Sequence, residues 1–578
     1  MKKLTALALT FAAIGFLCAQ APAPDELLRA MHDELDRASK LRLANLDAPY
    51  FIEYTIAEQD GFTVSASLGG IVNRRHEHFR LPDVNVRVGD YKFDNTNYVG
   101  SGFNFGTRYD LERFPLENNY PLLRRYLWLL TDSAYKSAVE AISRKRAALR
   151  DVQATDRLND FAHAEPVKSI RSLSRLALDE DEWAGRVRAL SAVFTSYPGV
   201  KTSSVEFEAS AGGFTLANTE GTEVREPESA VSLRVRATAQ APDGMTLRDT
   251  VAYHSISAAE MPSDAEMRKG AAAVAENVIA LAKSPMGEDY SGPVLFEGAA
   301  GAQVFAEVLG RNLTVARAPT GGRGGGASGE LEGRIGARVL PDTFDVVDDP
   351  TQTEWRGRPL FGSYKVDQEG VPARPLHLIE KGVLKGYLLT RQPVRGFEGS
   401  NGHARLPGAF GAATAAVSNL FVRSGDAVSV PDLKKKLIET IGARGKPYGI
   451  LVRKMDFPST GSLGELRALA AGQQGGRPVS LPLLVYKVYP DGREELVRGL
   501  RFRGFNARSL KDILAAGDDA NVLEWMENTA PFALIGGTAT TTESCVVAPS
   551  ILIDDLELHP LEGEQPKLPI VSPPGMLP

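Results

Sequence analysis

Ser284-Pro285 ends the last long helical pattern in the chain, because a proline forces the residue before it out of the helical region. That break divides the 578 residues into two stretches of different character. Before it, helix-period and strand-period segments alternate. Asp25 to Leu41 places Leu27, Leu28, Met31, Leu35, Ala38 and Leu41 at helical spacing. Tyr50 to Ile56 is aromatic and β-branched, and Val84, Val86 and Val88 alternate with Asn85 and Arg87, as in a half-buried strand. Leu122 to about Leu149 reads as a helix, with Asp132 as a cap and Arg144-Lys145-Arg146 at a C-terminus that suits positive charge. Strands follow at Val205 to Phe207, Phe214 to Leu216 and Val231 to Val235, and Pro242-Asp243-Gly244 turns the last into Thr250 to Tyr253. A helix over Asp264 to Lys283 closes this part. After Pro285, short strands and turns dominate, including a hairpin in which Leu484 to Tyr489 returns through Pro490-Asp491-Gly492 into Glu495 to Val497. Helical patterns remain at Asp432 to Ile441 and, more briefly, at Leu510 to Ala515. Gly321 to Gly329, around Arg323, is a glycine-rich loop without the Lys-Ser/Thr ending of a phosphate cradle. The class expected is α+β: an N-terminal α/β domain over 20–288 and a β-rich domain over 289–578.

Residues 1–19 form a leader. Lys2 and Lys3 precede an apolar run from Leu4 to Leu17, shorter than the roughly 20 residues a bilayer requires, and a small-residue exit follows. Cleavage after Ala19 is preferred to cleavage after Ala21, which would leave Pro22 first; Cys18 lacks the small residues before it that lipidation needs. The chain is therefore expected to be secreted or periplasmic. Without the leader Cys545 is the one cysteine, so no internal disulfide forms and stability must come from packing. A composition 43% hydrophobic and 24% charged is globular, and a net charge of −6 speaks against nucleic acid, whose phosphates call for a positive face. No later apolar run is long enough to span a membrane.

Several constellations invite chemistry and have plainer explanations. His76 and His78 share one face of a strand, where a metal could be pinched, but no third ligand is near in sequence and a polar face explains them equally. Asp348-Asp349 and Asp554-Asp555 are adjacent, so on a strand they point opposite ways; the first is read as a turn-forming acidic element. Gly399-Ser400-Asn401-Gly402 and Gly461-Ser462-Leu463-Gly464 lack the spacing of a nucleophile elbow. Cys545, in an apolar strand, is read as a core thiol. His403 is the histidine to watch, with an ordinary loop residue as its plainer reading.

Asp348-Asp349-Pro350, Asp367-Gln368-Glu369-Gly370-Val371-Pro372, Leu378-Ile379-Glu380-Lys381-Gly382-Val383-Leu384-Lys385-Gly386-Tyr387, and Ser418-Asn419-Leu420 with Gly425 resemble the TldD/PmbA family, metallopeptidase-related proteins also known as modulators of DNA gyrase. Leu216 to Gly221 resembles that family's substrate-domain strand and turn, and Gly402-His403-Ala404-Arg405 its Gly-Asn-Arg-Arg stretch near the cavity. The resemblance implies a β-rich C-terminal domain, a dimer enclosing a cavity, and, in active members, a His-Glu-x-x-x-His stretch whose histidines hold zinc with a later cysteine. Two imidazoles and a thiolate leave a position for water, and the glutamate moves its proton. Here that stretch corresponds to Ala306-Glu307-Val308-Leu309-Gly310-Arg311. Ala306 and Arg311 stand where the histidines should be, neither can ligate zinc, and the family's cysteine position falls near Ile535. No metal or cofactor is therefore expected.

What the resemblance implies is an exported, metallopeptidase-related protein that lacks its own zinc site and works as a PmbA-like subunit in peptide binding or proteolysis. Its partners would be peptide or unfolded polypeptide and a TldD/PmbA-like protein in a homo- or heterodimer. Glu307 and His403 are the candidate catalytic residues. Two alternatives stay open: a hydrolase with a different active site, drawing on Glu307, His403 or the His76/His78 pair, and a non-catalytic binding protein of the cell envelope. The gyrase label does not suit an exported chain.

Overall fold

The structure, a computed structural model, describes residues 25–42, 46–99, 114–150, 158–320, 329–407, 413–456, 479–528 and 541–561. The leader, the glycine-rich stretch at 321–328, the Gly461 to Gly464 turn and the position near Ile535 lie outside them. In chain order the first part contains α1 (Glu26–Ala38), β1 (Pro49–Ser67), β2 (Gly70–Val88), α2 (Tyr120–Ala148), β3 (Lys168–Ile170), α3 (Glu180–Ala192), β4 (Thr202–Asn218), β5 (Glu223–Gln240), β6 (Thr246–Ser255) and α4 (Asp264–Lys283). The fold is mixed α and β, as expected.

β1 to β6 form one sheet in the order β2-β1-β4-β5-β3, with β6 also on β5. Strand registers place Phe62 and Val64 of β1, Val205 and Phe207 of β4, Leu233 and Val235 of β5 and Val251 of β6 on a single face. All four helices lie on that face. α3 and α4 cover it through Trp183, Val187, Val274 and Val278, while α1 and α2 cover the Ile52-Tyr54-Ile56 end through Met31, Leu35, Leu123 and Leu127. Local signals set the helix starts: Asp25 accepts from the Leu28 N–H, and Ser263 and Glu266 cap each other at α4. α2 begins at Tyr120 under an Asn119 cap; Asp132 sits mid-helix and accepts from Lys136 Nζ at 2.6 Å, so its reading as a cap was wrong.

The strands are far longer than their hydrophobic centres predict. β1 and β2 each run 19 residues. Glu58 to Gly61, turn-like in sequence, lies inside β1 opposite Ala211, Gly212 and Gly213 of β4. Only glycine fits at 212: its φ is +157°, and a Cβ there would stand 1.9 Å from the Glu58 carbonyl oxygen.

The second part of the chain covers the other, polar face of this sheet. It carries a six-stranded sheet in the order 383–384, 376–380, 344–348, 419–424, 541–548, 521–528, and a seven-stranded one built around Tyr290–Phe296 and Ile551–Pro560. Both rest on one large apolar cluster that includes Phe296, Phe305, Phe344, Leu420, Val452 and Ile553. α5 (Ala299–Val304) and α6 (Val430–Ala443) are its α-helices among the described residues. The helical expectation for Leu510 to Ala515 fails: a 3₁₀ turn over Ala507–Asp512 runs into the strand Ile513–Ala516, which pairs with Ile551–Ile553.

Charged groups close the seam. The Arg391 guanidinium, 1% exposed, lies over the Phe51 and Phe161 rings, donates to the Ala162 carbonyl and holds Glu220 at 2.7 Å. Arg248 donates to Asp456 at 2.7 Å, Lys454 reaches Asp249 at 2.6 Å, and Arg498 holds Asp243 at 2.8 Å. Apolar patches in this seam join Phe214, Leu216 and Val224 to Val366, and Met245, Leu247 and Leu281 to Leu484 and Leu496. Burial pushes the carboxyl of Glu53 up to about 7, against the pull of Arg391 and the Asn218 amide, and raises Asp367, which also feels the charge of Glu369, to about 8.

Two consequences can be measured. Arg391→Ala leaves Glu220 buried without its cation and should cost roughly 3–5 kcal/mol in urea unfolding, with Glu220→Gln recovering part of that in the double variant. A wild-type midpoint for Arg391→Ala would refute the role given to this pair. Glu53, held protonated by the fold, stabilises fully below its unfolded pKa and loses that contribution as pH rises through about 7. Glu53→Gln should therefore flatten the decline of stability between roughly pH 4.5 and 7, a difference on the order of 2–3 kcal/mol across the window.

Candidate functional site

α5 does not continue as an α-helix. Over Phe305–Leu309 it widens into a π-turn, in which the Gly310 N–H bonds the Phe305 carbonyl five residues back, and it tightens into a 3₁₀ turn over Gly310–Leu313. This matters for a motif whose outer residues are five apart. On a regular α-helix positions 306 and 311 would be about 140° apart around the axis; the i→i+5 ladder brings them toward one side. The strand Thr541–Ala548 packs against this turn, and Gly310 lies against Val417, where a Cβ would meet the Val417 side chain at 3.1 Å.

Glu307, 8% exposed, is fully engaged. Its Oε1 accepts from the Gln303 amide at 2.8 Å and the Ser480 hydroxyl at 2.7 Å, and its Oε2 accepts the Ser480 N–H at 2.8 Å. The same Gln303 amide donates to the Asp456 carbonyl at 2.7 Å, which links the turn to Arg248 on the first sheet. Ala306 is buried. Arg311 is half-buried; its Nε is sealed from solvent and has no acceptor, and its side chain has no hydrogen-bond or ion-pair partner among the described residues.

His403 reaches the same neighbourhood from the strand Ala404–Pro407 and is completely buried. Its Nδ1 faces the Asn401 carbonyl at 3.1 Å and its Nε2 faces Asp348 Oδ1 at 3.0 Å. Asp348 also accepts the Ser418 N–H at 3.0 Å and the Ser418 hydroxyl. Gly402, just before it, has φ +83° and would place a Cβ 2.4 Å from the Pro372 carbonyl oxygen, so the backbone is pressed into the core here. His403 is therefore not the ordinary loop histidine its surroundings suggest. Asp348 is not a turn former either: it ends a strand and anchors an imidazole, while Asp349 alone makes the turn by accepting the Thr351 N–H at 2.9 Å. Arg405, two residues on, donates to the Val417 carbonyl at 3.0 Å and pairs with Glu543 at 3.6 Å. The turn bearing Glu307 and the strand bearing His403 thus meet around Val417 and Ser418, but His403 has no surface to offer a substrate.

Among the described residues, no three His, Cys, Asp or Glu side chains gather to hold a metal ion. The donor set at the motif does not fit zinc, since a methyl group and a guanidinium occupy its ligand positions. Cys545 lies in the Leu360-Phe421-Val547 cluster, where burial raises its thiol well above its usual range. His76 is placed between Glu180 and Asp60, each at 2.7 Å, and His78 faces Glu58 at 3.2 Å, so both imidazoles answer carboxylates.

Sequence reading missed the wall opposite. The polar face of the first sheet presents Glu206, Glu208, Arg234, Arg236 and His254 toward the second part of the chain. The Glu208 side chain keeps 45% of its accessible surface, yet burial raises its carboxyl, and burial followed by Arg234 and Arg358 drives His254 down to about 3. The His254 ring lies 5.4 Å from that of Phe361, so the polar face of the first sheet meets the second part of the chain there.

If Glu307 organises the turn, Glu307→Ala strands three donors and should lower stability by roughly 2–4 kcal/mol. Chemical denaturation measures it; a change under about 0.5 kcal/mol, the size of a neutral surface substitution, would remove the structural role assigned here.

Comparison with known proteins agrees with this architecture. Residues 289–456 match the PmbA/TldA metallopeptidase C-terminal domain. A metalloprotease of Archaeoglobus fulgidus is 36% identical over 78 residues, 14% of this chain and 17% of that protein. One from Methanothermobacter thermautotrophicus is 34% identical over 122 residues, 21% of this chain and 25% of that protein. The aligned segments thus span no more than a quarter of these relatives' length. Over nearly the whole chain the fold is that of TldE from Thermococcus kodakarensis (TM-score 0.57, 13% identity, 92% of this chain and 99% of that one). It is also that of a putative modulator of DNA gyrase from Thermotoga maritima (TM-score 0.54, 15% identity, 88% and 96%). The domain match identifies residues 289–456 as a PmbA/TldA metallopeptidase C-terminal domain, and the solved structures share the fold of nearly the whole chain.

Proposed function

We propose that this chain is an exported, zinc-independent, PmbA-like subunit that binds unfolded peptide between the polar face of its first sheet and its C-terminal domain, and that pairs with a TldD/PmbA-like protein. One observation carries the reading: the turn that corresponds to the family's metal motif lacks the motif's chemistry. Ala306 and Arg311 replace both imidazoles, and Glu307, which would serve a zinc-bound water, is committed to Ser480 and Gln303. The polar face supports the peptide part, because alternating acidic and basic side chains on a pleated surface suit an extended polar backbone. Among the described residues no helix is long and apolar enough to cross a membrane. The leader at 1–19 is the basis for export.

The test is metal analysis and peptide turnover of the purified mature protein. Zinc well below one ion per chain is expected, with no peptide cleavage by the protein alone and cleavage on mixing with a homologue that retains both motif histidines. Stoichiometric zinc that is lost on Glu307→Ala would reject the proposal, as would turnover by the isolated chain.

A further inference from the structure

We infer that Arg311 is a carboxylate-binding group, gripping an anionic end or side chain of a bound peptide at the position where zinc-bearing relatives place their second imidazole. The inference rests on the peptide-binding reading above and names what the altered turn recognises.

A guanidinium carries five N–H donors in a rigid plane and is never deprotonated in a protein. Withdrawing it from water without acceptors is unfavourable, so half-buried arginines normally find carbonyls or carboxylates. The other arginines around this site do so: Arg405 takes Val417 and Glu543, Arg248 takes Asp456, and Arg391 takes Ala162 and Glu220. Arg311 does not, and its buried Nε has no acceptor among the described residues. The carboxylate best placed by sequence to answer it is Glu307, one turn back, and that group is held by three donors of its own. At 306 the π-turn brings only a methyl group toward the same side, which offers the guanidinium no acceptor. Among the described residues, the Arg311 guanidinium therefore has no carboxylate to answer it. The matching ligand is a carboxylate that can take two parallel N–H bonds. In a chamber for peptides, that group is supplied either by the chain's C-terminus or by an acidic side chain.

Titration calorimetry with three probes separates these sources: N-acetyl-tetra-alanine with a free carboxylate, the same peptide as its C-terminal amide, and an amide in which the second alanine is replaced by glutamate. Wild-type protein should bind the free acid about tenfold to a hundredfold more tightly than the plain amide. Arg311→Met should erase that preference while leaving amide binding unchanged, and Arg311→Lys should retain part of it. Arg311-dependent tightening by the glutamate peptide alone also supports the inference and makes a side chain the source. Equal binding of all three peptides by the wild type, or an unchanged preference in Arg311→Met, overturns the inference and leaves peptide binding standing. Failure to bind any of the three overturns both. The comparison of acid with amide uses unaltered protein, so it does not depend on the variants folding.

Discussion

Two faces of one sheet need two kinds of cover, and the rest of the molecule follows from that. The apolar face of β1, β4, β5 and β6 takes four amphipathic helices, which is ordinary hydrophobic burial. The opposite face carries Glu53, Glu206, Glu208, Glu226, Arg234, Arg236 and Arg248, and no helix could cover it without stranding those charges. The second part of the chain supplies matched partners instead. Arg391 answers Glu220, Asp456 answers Arg248, and the Lys365 N–H answers Glu226 at 2.9 Å. A seam built this way is specific rather than strongly adhesive, because each buried pair must recover the desolvation of both its members. Where pairing is complete the seam closes, while the Arg236 Nε stays without an acceptor among the described residues.

The sequence announced the order of these elements better than their extent. Helix positions were readable because caps and apolar periodicity coincide at Asp25, Ser263 and Ser429. α3 was not read: Trp183, Val187 and Leu190 are too few to stand out among the charges of Glu180 to Arg188. Strand length was illegible for a related reason. Val231 to Val235 reads as a strand, but the remainder of β5 alternates small or apolar residues with Glu, Ser and Arg, a pattern that looks like loop until the polar face is known to be covered. Gly212-Gly213 lies within β4 because glycine alone lets the backbones approach so closely there.

The candidate site was legible only in part. Glu307 and Arg311 were located through the resemblance, since a lone glutamate on a short apolar helix carries no signal of its own. The environment of His403 could not be read, because its partner Asp348 lies 55 residues away and ends a strand of a different sheet. Nor does any local signal in Phe305 to Leu309 announce a π-turn. Those residues are an ordinary helical run, and the widening becomes visible only once Gly310 is seated against Val417 and Ser480 has come in from a distant segment to bind Glu307.

That distant contact also explains how the turn can keep its shape with neither imidazole present. In a metal-binding turn the ion itself ties two residues together, and removing it would free the backbone to relax to the ordinary α ladder. Here Ser480 from a distant segment and Gln303 from the preceding turn fix Glu307 without anything bound at 306 or 311. With the scaffold stabilised independently, the residue at 311 is free to decide the chemistry. A zinc ion there would polarise a carbonyl and lower the pKa of a bound water to about 7. A guanidinium has no open coordination position and cannot generate hydroxide; it can only hold an anion in a fixed orientation.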